Sequence, residues 1–301
     1  MTRFFVIFNP AARGEKSQRL RRFLDSKGND HVTLAPTEKG GDACRLAAQA
    51  VADGYNLIVA AGGDGTINEV INGIGTSGAS LGILPFGTVN VFAQDLGIPR
   101  KTEEAWAVIE SGWTRSVDLA CAESNGKTRF FVQLAGVGFD ARAVRVASWA
   151  LKKKIGPLSY VWAGLKTLRE RHASVEVRVN ATGLSASGVA VLVGNGRFYG
   201  GPFRLFPDAR MDDGLLDVCV FEKGGYFDVL RYGQGILRGV HTGFADVRYF
   251  QAKEFVCSAA QTVPFELDGE DAGEVPVRFS VMPRALRVMA PDVPERNDHA
   301  R

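Results

Sequence analysis

Three glycines surround one carboxylate in the stretch Gly62-Gly63-Asp64-Gly65, which lies between an apolar run and a segment of helical period. Glycine lets the backbone approach a ligand closely, and the first turn of a helix has N–H groups that bind anions. The stretch therefore predicts a phosphate-binding loop. A carboxylate repels phosphates unless a cation lies between them, so Asp64 indicates a magnesium–nucleotide ligand. The alternative is a plain glycine turn in which Asp64 caps a helix that starts near Thr66.

Two further loops carry polar residues at the ends of apolar runs. Residues 9–14 offer Asn9, Arg13 and Gly14, which could hold a phosphate or a ribose. Residues 84–90 offer the hydroxyl of Thr88 and the amide of Asn90 beside a glycine. Each loop alone could equally be a turn after a strand. Because ligands bind at the carboxyl ends of parallel strands, three such loops together predict one ligand site.

The elements that would position these loops alternate over the first 120 residues. Short apolar runs are followed by segments of helical period: 4–8, 57–61 and 81–84 for the runs, and 17–24, 42–52 and 103–110 for the helical segments. This pattern is typical of a parallel sheet covered by helices on both faces. The sequence therefore predicts an α/β domain over residues 1–121.

Alternation with a period of two replaces this pattern in the second half. It occurs in seven runs: 175–179, 189–193, 215–221, 247–250, 263–267, 277–281 and 286–289. Two helical stretches interrupt these runs, at 158–171 and 226–237. An antiparallel, β-rich domain over residues 122–284 is predicted.

The composition bounds the class of protein. The 301 residues are 46% hydrophobic and 23% charged, which is enough for two domains. A formal net charge of +3 falls well short of a nucleic-acid-binding signature. The four cysteines form no CxxC motif, and the four histidines show no metal-ligand spacing. No apolar run approaches the roughly 20 residues that span a bilayer, so we expect a cytoplasmic protein without a transmembrane segment.

The motifs resemble those of the diacylglycerol kinase catalytic-domain family, which includes bacterial lipid kinases, sphingosine kinases and ceramide kinases. The matching segments extend over almost the whole chain: 9–10, 62–69, 87–90, 115–119, 135–140, 205–216 and 267–270. The resemblance implies an α/β nucleotide-binding domain like that of NAD kinases and phosphofructokinases, followed by an antiparallel β-sandwich. It also implies an active site in the cleft between them and a tail, 285–301, that returns toward the first domain.

The resemblance assigns ATP to the first domain. The implied contacts are Asn9, Arg13, Gly14, Thr37, Gly62, Gly63, Asp64, Gly65, Thr66, Ile67, Asn68 and Thr88. The chain departs from the family in one place, because Val91 stands where many members have an aspartate. A carboxylate expected near the nucleotide is therefore absent.

Phosphoryl transfer to an alcohol needs a group that accepts the hydroxyl proton. Asp268-Gly269-Glu270 matches the family segment that supplies this group. We expect Glu270 to be the base and Asp268 its partner, with the opposite assignment left open. Spacing alone predicts a hairpin turn instead, because Asp-Gly lies between the alternating runs 263–267 and 277–281.

Two magnesium ions are implied by the same resemblance. Asp64, Asp118 and Asp268 would hold the catalytic ion, directly or through water, although Asp118 could equally be an ordinary carboxylate at a strand edge. Asp208, with the backbone carbonyls of Leu205 and Arg210, would hold a structural ion. Oxygen ligands of this kind suit a hard cation.

The region that would meet the lipid is weakly indicated. Three lysines at 152–154 precede Tyr160 and Trp162, a mixture that suits docking on an anionic membrane surface. A core helix would use the same aromatic residues for packing. The loop 198–203 could line a cleft for an acyl chain or simply pack within the sandwich.

These observations predict an ATP- and magnesium-dependent lipid kinase that acts at a membrane surface. Diacylglycerol is the default acceptor, and a sphingoid base, ceramide or phosphatidylglycerol is the alternative. The rival functions are a soluble NAD kinase-like enzyme, which shares the glycine motif, and a non-catalytic sensor of nucleotide or lipid. A homodimer is left open.

Overall fold

The computed structural model describes residues 3–10, 15–27, 31–146 and 173–292. The chain divides into two compact units. Unit 1 falls within Met1–Val117 and Ala285–Arg301, and unit 2 is Asp118–Arg284. The division falls within two strands, Thr114–Ser124 and Val277–Met289, because each contributes residues to both units.

Unit 1 is built on a parallel sheet. Its strands are β1 (Phe4–Phe8), β2 (Val32–Pro36), β3 (Leu57–Gly62) and β4 (Ser80–Pro85). β1 pairs in parallel with β2 and β3, and β3 pairs in parallel with β4. All six residues of β3 are buried, as expected for a strand covered on both faces.

Helices follow the strands of this sheet, as the sequence predicts. They are α1 (Glu15–Lys27), α2 (Asp42–Ala52), α3 (Asp64–Ile74), α4 (Val91–Asp95) and α5 (Thr102–Ser111). α2 and α3 lie close together because Gly73 has no side chain: a Cβ there would lie 2.2 Å from the carbonyl oxygen of Cys44. The predicted α/β architecture of this half is confirmed.

Unit 2 is antiparallel, and its strands complete the series. They are β5 (Thr114–Ser124), β6 (Lys127–Phe131), β7 (Leu134–Gly138), β8 (Val175–Val179), β9 (Leu184–Gly188), β10 (Ala190–Gly194), β11 (Phe198–Tyr199), β12 (Phe203–Arg204), β13 (Leu216–Phe221), β14 (Val247–Ala252), β15 (Glu254–Ser258), β16 (Pro264–Leu267), β17 (Glu270–Glu274) and β18 (Val277–Met289). One sheet has the order β14-β13-β10-β7-β16-β17. In the second sheet β18, β15, β8 and β9 are neighbours, and β5 pairs with β6 and β18.

The two sheets of unit 2 share a hydrophobic core. Along β10, Val191 and Val193 face this core, together with Val175 and Val177 of β8. The alternate residues Ala190 and Leu192 of β10 belong to a second cluster on the opposite face. Period-two alternation thus places one face of β10 in each cluster, and the predicted β-sandwich is confirmed.

The described part of unit 2 also contains α6 (Phe139–Val146), α7 (Tyr226–Leu237) and a 3-10 turn at His241–Gly243. α7 has the predicted bounds, whereas α6 was not predicted. The predicted helix at 158–171 lies outside the described residues, as do Lys152, Lys153, Lys154, Tyr160 and Trp162.

Two strand predictions in this unit are wrong in detail. The runs 277–281 and 286–289 are parts of one strand, β18, in which Arg284 has a φ of 53°. The run 277–281 does not form a hairpin with 263–267. Its first residues pair with β15, while β16 pairs with β17. β17 was missed because its sequence, Glu-Asp-Ala-Gly-Glu, is almost entirely polar and small.

At the end of the chain β18 joins the sheet of unit 1. Arg287 and Val288 pair in parallel with Ser80 and Leu81 of β4. The pairing places these two residues beside β4 within unit 1.

Candidate functional site

The glycine-rich loop leads from β3 directly into α3. The helix begins at Asp64, with Gly63 as the N-cap residue in an extended conformation. No side chain caps this end, and its first intrahelical bond runs from the N–H of Ile67 to the carbonyl of Gly63. The N–H groups of the first helical turn are therefore not capped by a side chain, as a site that binds an anion at this helix start would require.

The packing around this loop excludes side chains at Gly62 and Gly87 but not at Gly63. A Cβ at Gly62 would lie 2.5 Å from Oγ1 of Thr66, and a Cβ at Gly87 would lie 2.7 Å from Cα of Gly63. A Cβ at Gly63 meets only Cα of Gly87, at 3.4 Å. The backbones of the β3–α3 and β4–α4 loops are thus in direct contact, and Gly63 is the position with room in front of it.

Asp64 has a structural function that the sequence did not reveal. Its carboxylate accepts hydrogen bonds from the N–H groups of Asn90, at 3.0 Å, and Val91, at 2.8 Å. Asn90, with a φ of 55°, donates its side-chain amide to the carbonyl of Gly62. Burial raises the pKa of the Asp64 carboxyl, against the lowering effect of these backbone N–H groups. Asp64 therefore joins the two loops rather than capping its own helix from near Thr66.

Replacing Asp64 by Ala is expected to destabilise the protein by about 1–3 kcal/mol, because two backbone N–H groups lose their acceptor. Urea unfolding followed by circular dichroism measures this change. Asp53→Ala, at an exposed carboxylate after α2, is the matched control and should change the free energy of unfolding little. Equal effects of the two substitutions would contradict the joining function.

The other predicted nucleotide contacts that the structure describes follow strands of unit 1 or lie within α3. Thr37 is buried and follows β2, and its N–H bonds to the carbonyl of Phe8 at 2.9 Å. Asn9 and Thr88 are exposed. Ile67 and Asn68 are buried within α3. Arg13 and Gly14 lie outside the described residues.

Glu69 is a further anchor in the glycine-rich motif that sequence reasoning left without a function. Its two carboxylate oxygens accept the N–H groups of Gly41, at 2.9 Å, and Ala43, at 3.0 Å. These residues form the start of α2. Glu69 thus fixes the N-terminus of α2, which packs against α3. This contact explains why the motif has a glutamate at this position.

In unit 2, Asp268 and Gly269 form the two-residue turn between β16 and β17. Both have positive φ, 47° and 85°, and Leu267 pairs with Glu270 across them. Asp-Gly favours this turn geometry, so the predicted hairpin turn is confirmed. The second strand of the hairpin is β17 and not the predicted run 277–281.

The Asp268 carboxylate is held by the backbone. It accepts hydrogen bonds from the N–H groups of Val132, Gln133 and Leu134, at 3.0, 3.1 and 2.9 Å. Glu270 differs, because its side chain is 45% exposed and lies 3.8 Å from the guanidinium of Arg129. Asp268 therefore fixes the turn, while Glu270 is presented at the surface at the start of β17.

A pair of carboxyl groups lies beneath this turn. Oε2 of the buried Glu266 accepts the N–H of Gly269 at 2.6 Å. Asp140, in the first turn of α6, accepts the hydroxyl of Tyr199. Burial, and after it the neighbouring charge of Asp140, raises the pKa of Glu266 well above its usual range. The charged form of Glu266 is therefore disfavoured in the folded protein.

Asp118 is completely buried, and both of its carboxylate oxygens are in use. Oδ2 accepts the N–H of Gly214 and Oδ1 accepts the N–H of Arg284, each at 2.7 Å. The backbone carbonyl of Asp118 accepts the side-chain amide of Asn195 at 3.1 Å. These bonds fit the alternative reading of Asp118 as a structural carboxylate.

The proposed structural-ion segment lies beside a buried histidine. The carbonyl of Leu205 accepts a hydrogen bond from Nε2 of His241 at 2.8 Å. A carbonyl oxygen has two lone pairs, so one remains for a cation. Asp208 is exposed, and the Arg210 side chain lies 3.5 Å from Asp212. Within the described ranges, no three His, Cys, Asp or Glu side chains are grouped to hold a metal ion.

Asp217 is a buried acid on β13 that the sequence did not single out. Tyr249 donates its hydroxyl to Asp217, and Gln251 donates its amide at 3.3 Å. Burial raises the pKa of Asp217 from 3.8 to about 6. The charged form is thus disfavoured in the folded protein.

The raised pKa of Asp217 predicts a pH dependence of stability. Since the folded-state pKa lies above the unfolded value, the stabilisation is complete below about pH 4 and is lost as the pH rises to about 6. The loss amounts to about 3 kcal/mol. Asp217→Asn should remove this part of the decline, as measured by urea unfolding at pH values from about 4 to 7. Glu222→Gln, at an exposed carboxylate, is the control. If the free energy of unfolding of Asp217→Asn fell with pH as steeply as that of the wild type, Asp217 would not be the source of the decline.

Among the described residues, no helix is long and apolar enough to cross a membrane.

Two family matches together cover most of the chain. Residues 3–122 match the diacylglycerol kinase catalytic domain, and residues 133–290 match the YegS C-terminal NAD kinase beta sandwich-like domain. Two relatives from Staphylococcus aureus, strains bovine RF122 / ET3-1 and MRSA252, both bear the name diacylglycerol kinase. Each is 32% identical over 296 residues, which is 95% of this chain and 92% of the relative.

Solved structures show the same fold. The crystal structure of a diacylglycerol kinase from Bacillus anthracis str. Sterne has a TM-score of 0.75 at 24% identity and covers 96% of this chain and 97% of that one. Another structure from the same strain has a TM-score of 0.79 at 24% identity, with 96% and 95% coverage.

Proposed function

Because the chain belongs to the diacylglycerol kinase family and is a lipid kinase, we propose that it transfers the γ-phosphoryl group of ATP to the hydroxyl group of a lipid. The relatives bear the name diacylglycerol kinase, so diacylglycerol is the acceptor that we assign first. A sphingoid base, ceramide or phosphatidylglycerol carries the same reacting group and is the alternative.

The observation that carries the proposal is the uncapped start of α3. No described side chain caps the N–H groups of its first turn, and a Cβ added at the N-cap residue Gly63 would meet only the backbone of Gly87. Asp64 fixes the adjoining loop through two hydrogen bonds, so the donors are positioned before a ligand arrives. We assign the nucleotide phosphates to these donors. Thr37, Asn9 and Thr88 are assigned to the rest of the nucleotide.

The proton acceptor is assigned to Glu270. The lipid hydroxyl gives its proton to the Glu270 carboxylate while its oxygen attacks the γ-phosphorus, and the bond from that phosphorus to the departing ADP oxygen breaks. Asp268 is a positioning residue for this step, since its carboxylate already accepts three backbone N–H groups.

Magnesium would neutralise charge on the transferring phosphates. In both Asp64 and Asp118, each carboxylate oxygen accepts a hydrogen bond from a backbone N–H group. These residues would therefore have to bind the ion through their remaining lone pairs or through a water molecule. The separate structural ion would be held by Asp208, which is exposed, together with the Leu205 and Arg210 carbonyls.

A direct test incubates the purified protein with γ-labelled ATP, magnesium and a panel of acceptors. The panel contains dispersed diacylglycerol, a sphingoid base, ceramide, phosphatidylglycerol and NAD. We expect label in a lipid, with diacylglycerol first. Label only in NAD phosphate would replace the proposal with the soluble NAD kinase-like function, and nucleotide binding without any labelled product would favour a sensor.

A further inference from the structure

The outward face of α7 is apolar although it is exposed. Phe227 is 83% exposed, Leu237 68%, Tyr226 53% and Leu230 46%. With about 3.6 residues per turn, these four positions fall on one side of the helix. Large apolar side chains scattered singly are normal on a surface, but four on one helix face form a patch.

The opposite face of α7 holds the helix to the sandwich. Tyr232 is buried and packs against Phe221 of β13, with ring centroids 4.8 Å apart. Gly235 is buried where a Cβ would lie 2.6 Å from the ring of Phe244. The helix is therefore oriented by its own contacts, and its apolar outer residues are not needed to attach it.

The patch extends beyond the helix. β12 lies beside α7, and its Phe203 is 41% exposed. Val240, just after the helix, is 50% exposed. Together Phe203, Tyr226, Phe227, Leu230, Leu237 and Val240 form what we call the α7 patch.

Basic side chains border the α7 patch. Arg238 is exposed and makes no ion pair with any described residue. Arg231 packs over the rings of Tyr232 and Phe244, and Lys223 precedes the helix. The acids of this region are paired with two of these cations: Asp228 with Arg231, and Asp246 with both Arg231 and Lys223, which leaves the charge of Arg238 unpaired among the described residues. The unpaired charge at the edge of the α7 patch is therefore positive.

We propose that the α7 patch docks on the surface of an anionic lipid bilayer, with the helix lying in the plane of the interface. The inference deepens the proposed function, on which it rests, by naming the face of the protein that meets the lipid phase. Aromatic and leucine side chains enter the boundary between headgroups and acyl chains, and Arg238 at the edge meets a lipid phosphate. A bilayer fits this combination because it offers an apolar layer with an anionic border.

Co-sedimentation with vesicles tests the docking without ATP or turnover. Wild-type protein should bind vesicles of phosphatidylcholine containing phosphatidylglycerol. The double variant Phe227→Gln/Leu230→Gln should bind them at least about tenfold more weakly. Leu184→Gln, on β9 with 38% exposure, removes an exposed leucine elsewhere in the same unit and should bind normally. Equal binding by the wild type and the double variant overturns the proposal.

The charged border is tested separately. Arg238→Gln should weaken binding to the phosphatidylglycerol vesicles about fivefold and leave binding to pure phosphatidylcholine vesicles unchanged. Far-UV circular dichroism of each variant checks that α7 and the sandwich are intact. A wild-type protein that binds no vesicle at all also overturns the proposal, whether or not it phosphorylates a lipid.

Two further readouts separate this inference from the kinase proposal and from a protein partner. The double variant should phosphorylate detergent-dispersed lipid at the wild-type rate and vesicle lipid more slowly. Loss of activity in both forms would contradict docking as its cause, and absence of lipid kinase activity in the wild type would contradict the proposed function alone. Light scattering that shows a wild-type dimer and a monomeric double variant would identify the α7 patch as a contact between two copies and overturn the membrane assignment.

Discussion

Replacing Glu270 by Gln is expected to lower kcat for lipid phosphorylation by a factor of about 10² to 10⁴, the usual contribution of a general base. Gln has the same shape and keeps a hydrogen-bonding oxygen, but it cannot accept the hydroxyl proton at neutral pH. The loop to which we assign the nucleotide belongs to the other unit, so the dissociation constant for ATP should be unchanged. Steady-state kinetics and calorimetric titration with a non-hydrolysable ATP analogue measure the two quantities.

β17 provides a matched control for this substitution. Glu274 lies on the same strand, is also 45% exposed, and is paired with Arg145 as Glu270 is with Arg129. Glu274→Gln should leave kcat within about twofold of the wild type, because an exposed ion pair contributes little. Near-normal turnover in Glu270→Gln would remove Glu270 as the base.

Asp268→Asn distinguishes the two acids of the turn. The substitution converts one acceptor oxygen into a donor that faces backbone N–H groups. It should therefore lower the melting temperature as well as kcat, whereas Glu270→Gln should lower kcat alone. The reverse pattern would assign proton acceptance to Asp268.

Replacing Gly63 by Val is expected to weaken ATP binding at least about tenfold, or by about 1.4 kcal/mol. The Cβ fits, since it meets only Cα of Gly87 at 3.4 Å. The two methyl groups of Val then stand in front of the N–H groups that we assign to the phosphates. The fold should persist, and calorimetric titration with the ATP analogue measures the loss.

The neighbouring glycines give the contrast. At Gly62 a Cβ would lie 2.5 Å from Thr66 Oγ1, so Gly62→Ala should lower the melting temperature itself. Gly243→Val, in open space on unit 2, is the control for adding the same side chain and should leave binding intact. Unchanged ATP affinity in a folded Gly63→Val protein would mean that the phosphates are bound elsewhere.

Elements with a strong local pattern were predictable from the sequence. β1, β8, α2 and α7 have the predicted bounds because each shows a continuous run or a clear period of 2 or 3.6 residues. α6 and β17 were missed, since one is short and the other lacks apolar alternation. The fold class of each domain can be predicted from such patterns. A helix or strand that buries one face has apolar residues at the spacing of that face, and the same face packs on the core.

The sequence by itself thus determined the fold class, the family and the glycine-rich loop before α3. What only the tertiary structure decided is what the acidic residues contact. Asp64 bonds to Asn90 and Val91, 26 and 27 residues away, and Asp268 bonds to N–H groups 134 to 136 residues away. A carboxylate carries no local signal of its partner, since its hydrogen bonds are set by which strands the fold brings together. Asp64 and Asp268 therefore look like reactive groups in the sequence but anchor loops in the structure, while the side chain of Glu270, just after the turn that Asp268 begins, is exposed.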